Sequence, residues 1–148
     1  MSVTALEIQQ REPVLGGRAF GTAGAYEKIA GVLRFAVDPA HPLHAEITDL
    51  DRAPRTPAGL VEGAADFYLL RPVGGGNGAL LLDVANRGRK VALGMFNSAV
   101  RVADPTAEED FGNGFLLRHG YTVAWVGWQH EVPEQDGLMA MRAPVVPG

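Results

Sequence analysis

The sequence predicts an α/β fold in which a β-rich, antiparallel N-terminal part leads into a truncated sheet with a parallel β-α-β unit. Three observations predict it. Residues 79–84 (ALLLDV) and 121–126 (YTVAWV) are nearly unbroken apolar runs, too short for helices and suited to strands buried on both faces. The connection between them, 85–120, is long enough for a crossover and carries helix signals, so the two strands should run parallel. Upstream, segments rich in β-branched and aromatic residues are cut by glycine and proline, the pattern of antiparallel sheet.

In chain order, residues 1–20 read as an extended lead-in with little periodicity. Residues 26–37 (YEKIAGVLRFAV) read as a strand, or as a strand pair bent at Gly31. Asp38-Pro39 and His41-Pro42 end it, because proline lacks an amide donor and restricts the residue before it. Residues 45–50 could form a short strand, and 51–58, with Pro54 and Pro57, a loop. Residues 59–70 (GLVEGAADFYLL) form the next strand, closed by Arg71-Pro72. The glycine run at 74–78 reads as a flexible connector; it lacks the Lys-Ser or Lys-Thr of a phosphate-binding loop. In the connection 85–120, Thr106 and Glu109 have capping-box spacing just after Asp104-Pro105, and the stretch 115–119 is stopped by Gly120. The whole is one domain over 1–148: a β-rich lead-in to 78, the β-α-β unit over 79–131, and an irregular tail with three prolines over 132–148.

Composition narrows the function classes. The chain has 148 residues, 47% apolar and 20% charged, enough for a globular core. A net charge of -4 argues against nucleic-acid and anionic-membrane partners. No apolar stretch approaches the ~18 residues that span a bilayer, and no signal peptide is visible, which makes cytoplasmic the expected location. With no cysteine, disulfides, thiolate metal sites and cysteine nucleophiles are excluded. Asp38, His41 and His44, with Asp49 and Asp51, could ligate a metal if they converged, but they lack ligand spacing; no metal and no cofactor is expected.

The apolar run 79–84 stops at Asn86-Arg87-Gly88-Arg89-Lys90, a basic turn centred on glycine. Ligands of open α/β sheets collect at the carboxyl ends of strands. Parallel strands would bring Asn86, Arg87 and Gly88 to the same edge as Trp128, Gln129 and His130, and these six are the candidate anion- or substrate-binding residues. The plainer alternative is a tight turn whose arginine pairs with an acid and whose glycine permits positive φ. Arg89 and Lys90 read as a solvated or structural pair. Trp125 and Trp128 differ in parity, so one enters the core, while Trp128, near the strand's end, either lines a pocket rim or packs under a loop.

The segments FGTAGAYEKIAG, FAVDPAHP, ITDLDRAPRTPAGLVEGAADFYLLRP, LLLDVANRGRK and DFGNGFLLRHGYTVAWVGWQHEVP resemble the N-terminal part of the bacterial alpha/beta hydrolase domain-containing proteins, from about residue 13 to 144. The resemblance implies a serine hydrolase of the α/β-hydrolase fold acting on ester-like small molecules. Residues 79–84 would be its third strand, the turn at 85–88 its oxyanion loop, and 121–126 its fourth strand. Residues 79–84 would then be separated in the sheet from 59–70 by 121–126, so the glycine connector need not be a hairpin. Such enzymes carry the nucleophilic serine on a Gly-x-Ser-x-Gly turn after the fifth strand, with the acid and histidine later. This chain has only Ser2 and Ser98, neither in that context, so catalytic serine, acid and histidine are absent from it. The expectation is an N-terminal hydrolase segment that is inactive alone. An apolar edge beside residues 79–84 further predicts a homo-oligomer or a complementary C-terminal hydrolase chain as partner. The alternative from another class is a stand-alone, non-enzymatic β-rich binding module that closes its own sheet with a strand from 132–148.

Overall fold

The computed structural model describes residues 1–133 and 137–146, and it is a mixed α/β structure built on one open six-stranded sheet. The strands are β1 (Ser2–Pro13), β2 (Tyr26–Val37), β3 (Val61–Pro72), β4 (Leu80–Val84), β5 (Thr122–Val126) and the two-residue β6 (Met141–Arg142). Their spatial order is β1-β2-β3-β5-β4, and β6 pairs with β3. All pairings are antiparallel except β4 with β5, which are parallel with Leu80 opposite Thr122 and Val84 opposite Val126. Two short helices, α1 (Ala92–Asn97) and α2 (Phe115–Arg118), lie in the crossover between β4 and β5. No helix among the described residues is long and apolar enough to cross a membrane.

The glycine connector takes the chain from β3 past β5 to β4 rather than folding it into a hairpin. The Asn77 amide donates to Gly120 O at 3.0 Å and its side-chain Nδ2 to His119 O at 2.8 Å, so the connector rests on the turn that enters β5. Gly120, at φ 77°, makes that turn. Tyr26 braces it from the other side, its hydroxyl proton shared between Leu117 O at 2.9 Å and Tyr121 O at 3.0 Å.

Several local expectations are corrected. The lead-in contains a full edge strand, β1, which has no alternation to read because nearly all its side chains meet solvent. β2 is one continuous strand, and Gly31 is where β1 shifts register: a Cβ there would collide with Glu7 O. Residues 45–50 form no strand; 3₁₀ turns at Pro42–His44 and Leu50–Arg52 flank a left-handed Asp49. β4 is not buried on both faces. Leu80, Leu82 and Val84 are 60%, 54% and 60% exposed, because β4 is the last strand of the sheet and nothing among the described residues covers that face. The tail is not wholly irregular, since β6 extends β3 beyond the end of β5. It leaves the outer edge of β4 without a strand among the described residues.

The core lies on one face of the sheet. Tyr26, Tyr68, Leu70, Val123 and Trp125 pack there against Leu93, Phe111, Leu116 and Leu117 of the crossover. Asn97, fully buried, knits the crossover together. Its Nδ2 donates to Phe111 O at 3.1 Å and its Oδ1 accepts from the Leu116 amide at 2.9 Å, so each side-chain function is satisfied. On the opposite face a smaller cluster joins Val37 and Val61 to Leu50 and Ala53 of the 3₁₀ region.

Candidate functional site

The parallel ends of β4 and β5 determine what meets at the sheet's edge. Beyond Val84 the chain turns through Asn86-Arg87-Gly88-Arg89, closed by the Arg89 amide donating to Asn86 O at 3.1 Å. Arg87 at φ 49° and Gly88 at φ 75° are both left-handed, as the central pair of a type I′ turn. An arginine in this conformation is strained, and neighbouring contacts hold it. Its amide donates to Gln129 Oε1 at 2.5 Å, and Trp128 Nε1 donates to Ala85 O at 2.5 Å. The structure therefore brings Asn86, Arg87, Gly88, Trp128 and Gln129 to one rim. His130 is not part of this arrangement; it is exposed, with its Nε2 3.8 Å from a Glu131 carboxylate oxygen.

Gly88 plays a different part from the one glycine would have in an open anion cradle. It is buried, and a Cβ would lie 2.8 Å from both the Met139 amide nitrogen and Val132 Cγ1. The room left by the absent side chain is taken by the tail, whose Met139 amide donates to Gly88 O at 3.0 Å. The tail then meets the other half of the rim, the Met141 amide donating to Gln129 O at 2.9 Å. Asp66 clamps it through the Ala140 amide at 2.9 Å and Arg142 Nη2 at 2.6 Å. The face of the turn left open belongs to Asn86 and Arg87. The Arg87 amide is taken by the Gln129 side-chain oxygen.

Beneath the rim is Asp83, the only charge in β4. Its Oδ2 accepts from the Val91 and Ala92 amides, both at 2.8 Å, and from Trp125 Nε1 at 2.6 Å. One carboxylate thus fixes the end of β4, the start of α1 and the buried indole of β5. Trp125 is fully buried while Trp128, three residues on, is 52% exposed at the rim. Asp83 stands out in ALLLDV as a lone charge in an apolar run, and that anomaly was the available signal for its role.

Lys90 belongs to a second polar group under the turn. Its Nζ donates to Gly137 O at 2.9 Å and lies 4.6 Å from the Tyr68 ring centroid. Burial pushes its pKa down to about 8. Tyr68 donates its hydroxyl to Asp104 Oδ1 at 2.8 Å, and burial, with the Asp104 charge, raises its pKa. Lys28, buried in the same cluster, is paired with Glu12 at 2.6 Å and Asp104 at 3.0 Å. Lys90 is therefore structural rather than solvated, and Arg89 beside it is exposed.

An apolar groove of about 650 Å³ begins at Trp128 and runs under Val126, Ala65, Phe35 and Leu50, within the size range of small-molecule sites. Ser98 is the left-handed cap of α1, and neither His119 nor His130 hydrogen-bonds to it among the described residues. His41 and His44 stack on each other at 4.8 Å between ring centroids. No group of three or more histidine or acidic side chains among the described residues is placed to hold a metal. Comparison with protein-family models, with curated proteins and with solved structures returned no match for the chain.

Proposed function

We infer that this chain is the N-terminal segment of an α/β-hydrolase-like acyl hydrolase, whose parent reaction is serine attack on an ester followed by transfer of the acyl group to water. The observation that carries the reading is the meeting of the turn after β4 with the residues after β5 at the carboxyl edge of a parallel pair. In this reading the turn 85–88 faces the reacting carbonyl, and the Arg87 amide is the donor for the developing oxyanion. Gln129 Oε1 holds that donor in place until a substrate oxygen displaces it. The groove running from Trp128 receives the apolar part of the ester. The serine, acid and histidine come from sequence outside these residues, so the chain alone does not turn over.

The test is hydrolysis of p-nitrophenyl butyrate by the purified chain. No turnover above a mock purification is expected. Robust turnover that survives Ser98→Ala would contradict the reading. Co-expression with a polypeptide carrying a Gly-x-Ser-x-Gly turn that completes the sheet should create esterase activity. Substituting that serine should remove it.

A further inference from the structure

We propose that Lys90 is a covalent capture site for small aldehyde or keto acids, its amine forming an imine while Arg89 and Arg101 hold the acidic group. The chain has only two lysines, and both stand over one ring: Lys28 Nζ is 5.9 Å and Lys90 Nζ 4.6 Å from the Tyr68 centroid. Their partners differ. Burial works to lower the Lys28 pKa, but the Glu12 and Asp104 carboxylates at 2.6 and 3.0 Å outweigh it, and Lys28 stays an ammonium ion. Lys90 donates to a neutral group, the Gly137 carbonyl. The two acids whose charge reaches Lys90 are engaged elsewhere. Asp104 holds Lys28 and the Tyr68 hydroxyl, and Asp66 holds the Ala140 amide and Arg142. Burial of Lys90 is therefore not offset, and near pH 8 about half of its amines carry no proton.

Lys90 also lines a cavity of about 230 Å³, together with Arg89, Arg101 and an otherwise apolar wall that includes Val102 and Leu138. No acidic residue lines it among the described residues. Arg101 lays its stem across Gly94 of α1, where a Cβ would stand 3.4 Å from Arg101 Cγ. Arg89 and Arg101 are exposed, and neither forms an ion pair among the described residues. Two guanidinium groups without an acid favour an anion, and an unprotonated amine beside them favours an electrophilic carbon. The volume is below the roughly 300 Å³ at which pockets for drug-sized ligands begin, which sets the class as small carbonyl acids. In the reaction the Nζ lone pair attacks the carbonyl carbon, and a C–N bond forms as the π pair moves to oxygen. That oxygen takes up the proton nitrogen releases. The carbinolamine then loses water and leaves a C=N bond, so one carbonyl compound is consumed and one water released, with nothing oxidised or reduced.

The test is incubation of the whole chain at pH 8 with glyoxylate and sodium cyanoborohydride, which reduces an imine to a stable secondary amine, followed by peptide mass spectrometry. Lys28 and the Met1 amine are internal controls. Glyoxylate should label Lys90 saturably and at least about tenfold faster than Lys28, because their unprotonated fractions differ by more than that. Arg101→Ala should slow labelling of Lys90 by glyoxylate about fivefold, and leave labelling by acetaldehyde, which is uncharged, as it was. Arg89→Ala should act in the same direction from the other side of the cavity. Lys90→Met should remove the fast label. Equal labelling of the two lysines, or label confined to the Met1 amine, would overturn the proposal. So would arginine variants that slow both aldehydes equally or neither. None of these measurements depends on ester chemistry.

Discussion

A carboxylate within an apolar strand is costly unless its oxygens are used, and Asp83 Oδ2 alone serves three donors. Asp83→Ala leaves the Val91 and Ala92 amides and the Trp125 indole without this acceptor, and should destabilise the fold by about 3 kcal/mol. Asp83→Asn keeps an oxygen there and should cost about half as much. Urea denaturation of the two variants separates the outcomes. Lys90 gives a pH signature. Its folded pKa is depressed to about 8 from an ordinary value of 10.5, so between those values the unfolded chain binds more protons and stability rises with pH. The contribution is complete above the unfolded pKa and is lost as pH falls through 8. Tyr26, whose pKa burial pushes up to about 12, works in the opposite direction only above about pH 10, where unfolded tyrosine ionises. The midpoint of thermal unfolding should therefore climb by about 4–8 °C between pH 7.5 and 9.5, the change that about 2 kcal/mol produces in a domain of this size. Lys90→Met should flatten that climb in calorimetry and raise the midpoint at neutral pH.

Elements were legible where burial imposed a pattern and illegible where solvent removed it. β2 and β3 lie inside the sheet, and their β-branched and aromatic content identified both. β1 lies at the edge, nearly all exposed, and only its partner reveals it: it is a strand because β2 offers it a ladder. β4 misled in the other direction. Its apolar run implies burial on two faces, yet the described residues cover only one. α1 is a single short segment whose start is set by a carboxylate from β4, a long-range cause that no local spacing carries. Gly31 tests how far β1 depends on β2. Gly31→Ala places a Cβ on Glu7 O, and the strand must move away at its bulge. The variant should lose about 1–3 kcal/mol, and hydrogen exchange should rise in β1 amides well before those of β3 and β5. Uniform exchange across the sheet would contradict this.

At the scale of the whole molecule, one topological step creates the candidate site. The chain leaves β3, passes β5 to form β4, and returns through the crossover to fill the gap, so that β4 and β5 end at the same edge. The parallel pairing was readable from the two apolar runs and the connection between them, and it placed Arg87 near Gln129; that β5 lies between β3 and β4 was implied only by the resemblance. The tail was not readable. Its four residues from Met139 to Arg142 dock by backbone bonds, by Asp66 and by the single buried side chain of Met139, none of which leaves a hydrophobic period, and they close over Gly88. At the rim the Arg87 amide is consequently held by Gln129 Oε1, and the glycine beside it is covered by the tail. The most direct measurement is a titration of isotopically labelled protein with butyrate, whose carboxylate stands for the oxyanion, followed at backbone amides by NMR. Saturable shifts centred on Arg87 are predicted, with Gln129→Ala binding about fivefold more tightly because a competing acceptor worth about 1 kcal/mol is removed. Shifts that miss Arg87, or an affinity that falls when Gln129 is truncated, would contradict the account.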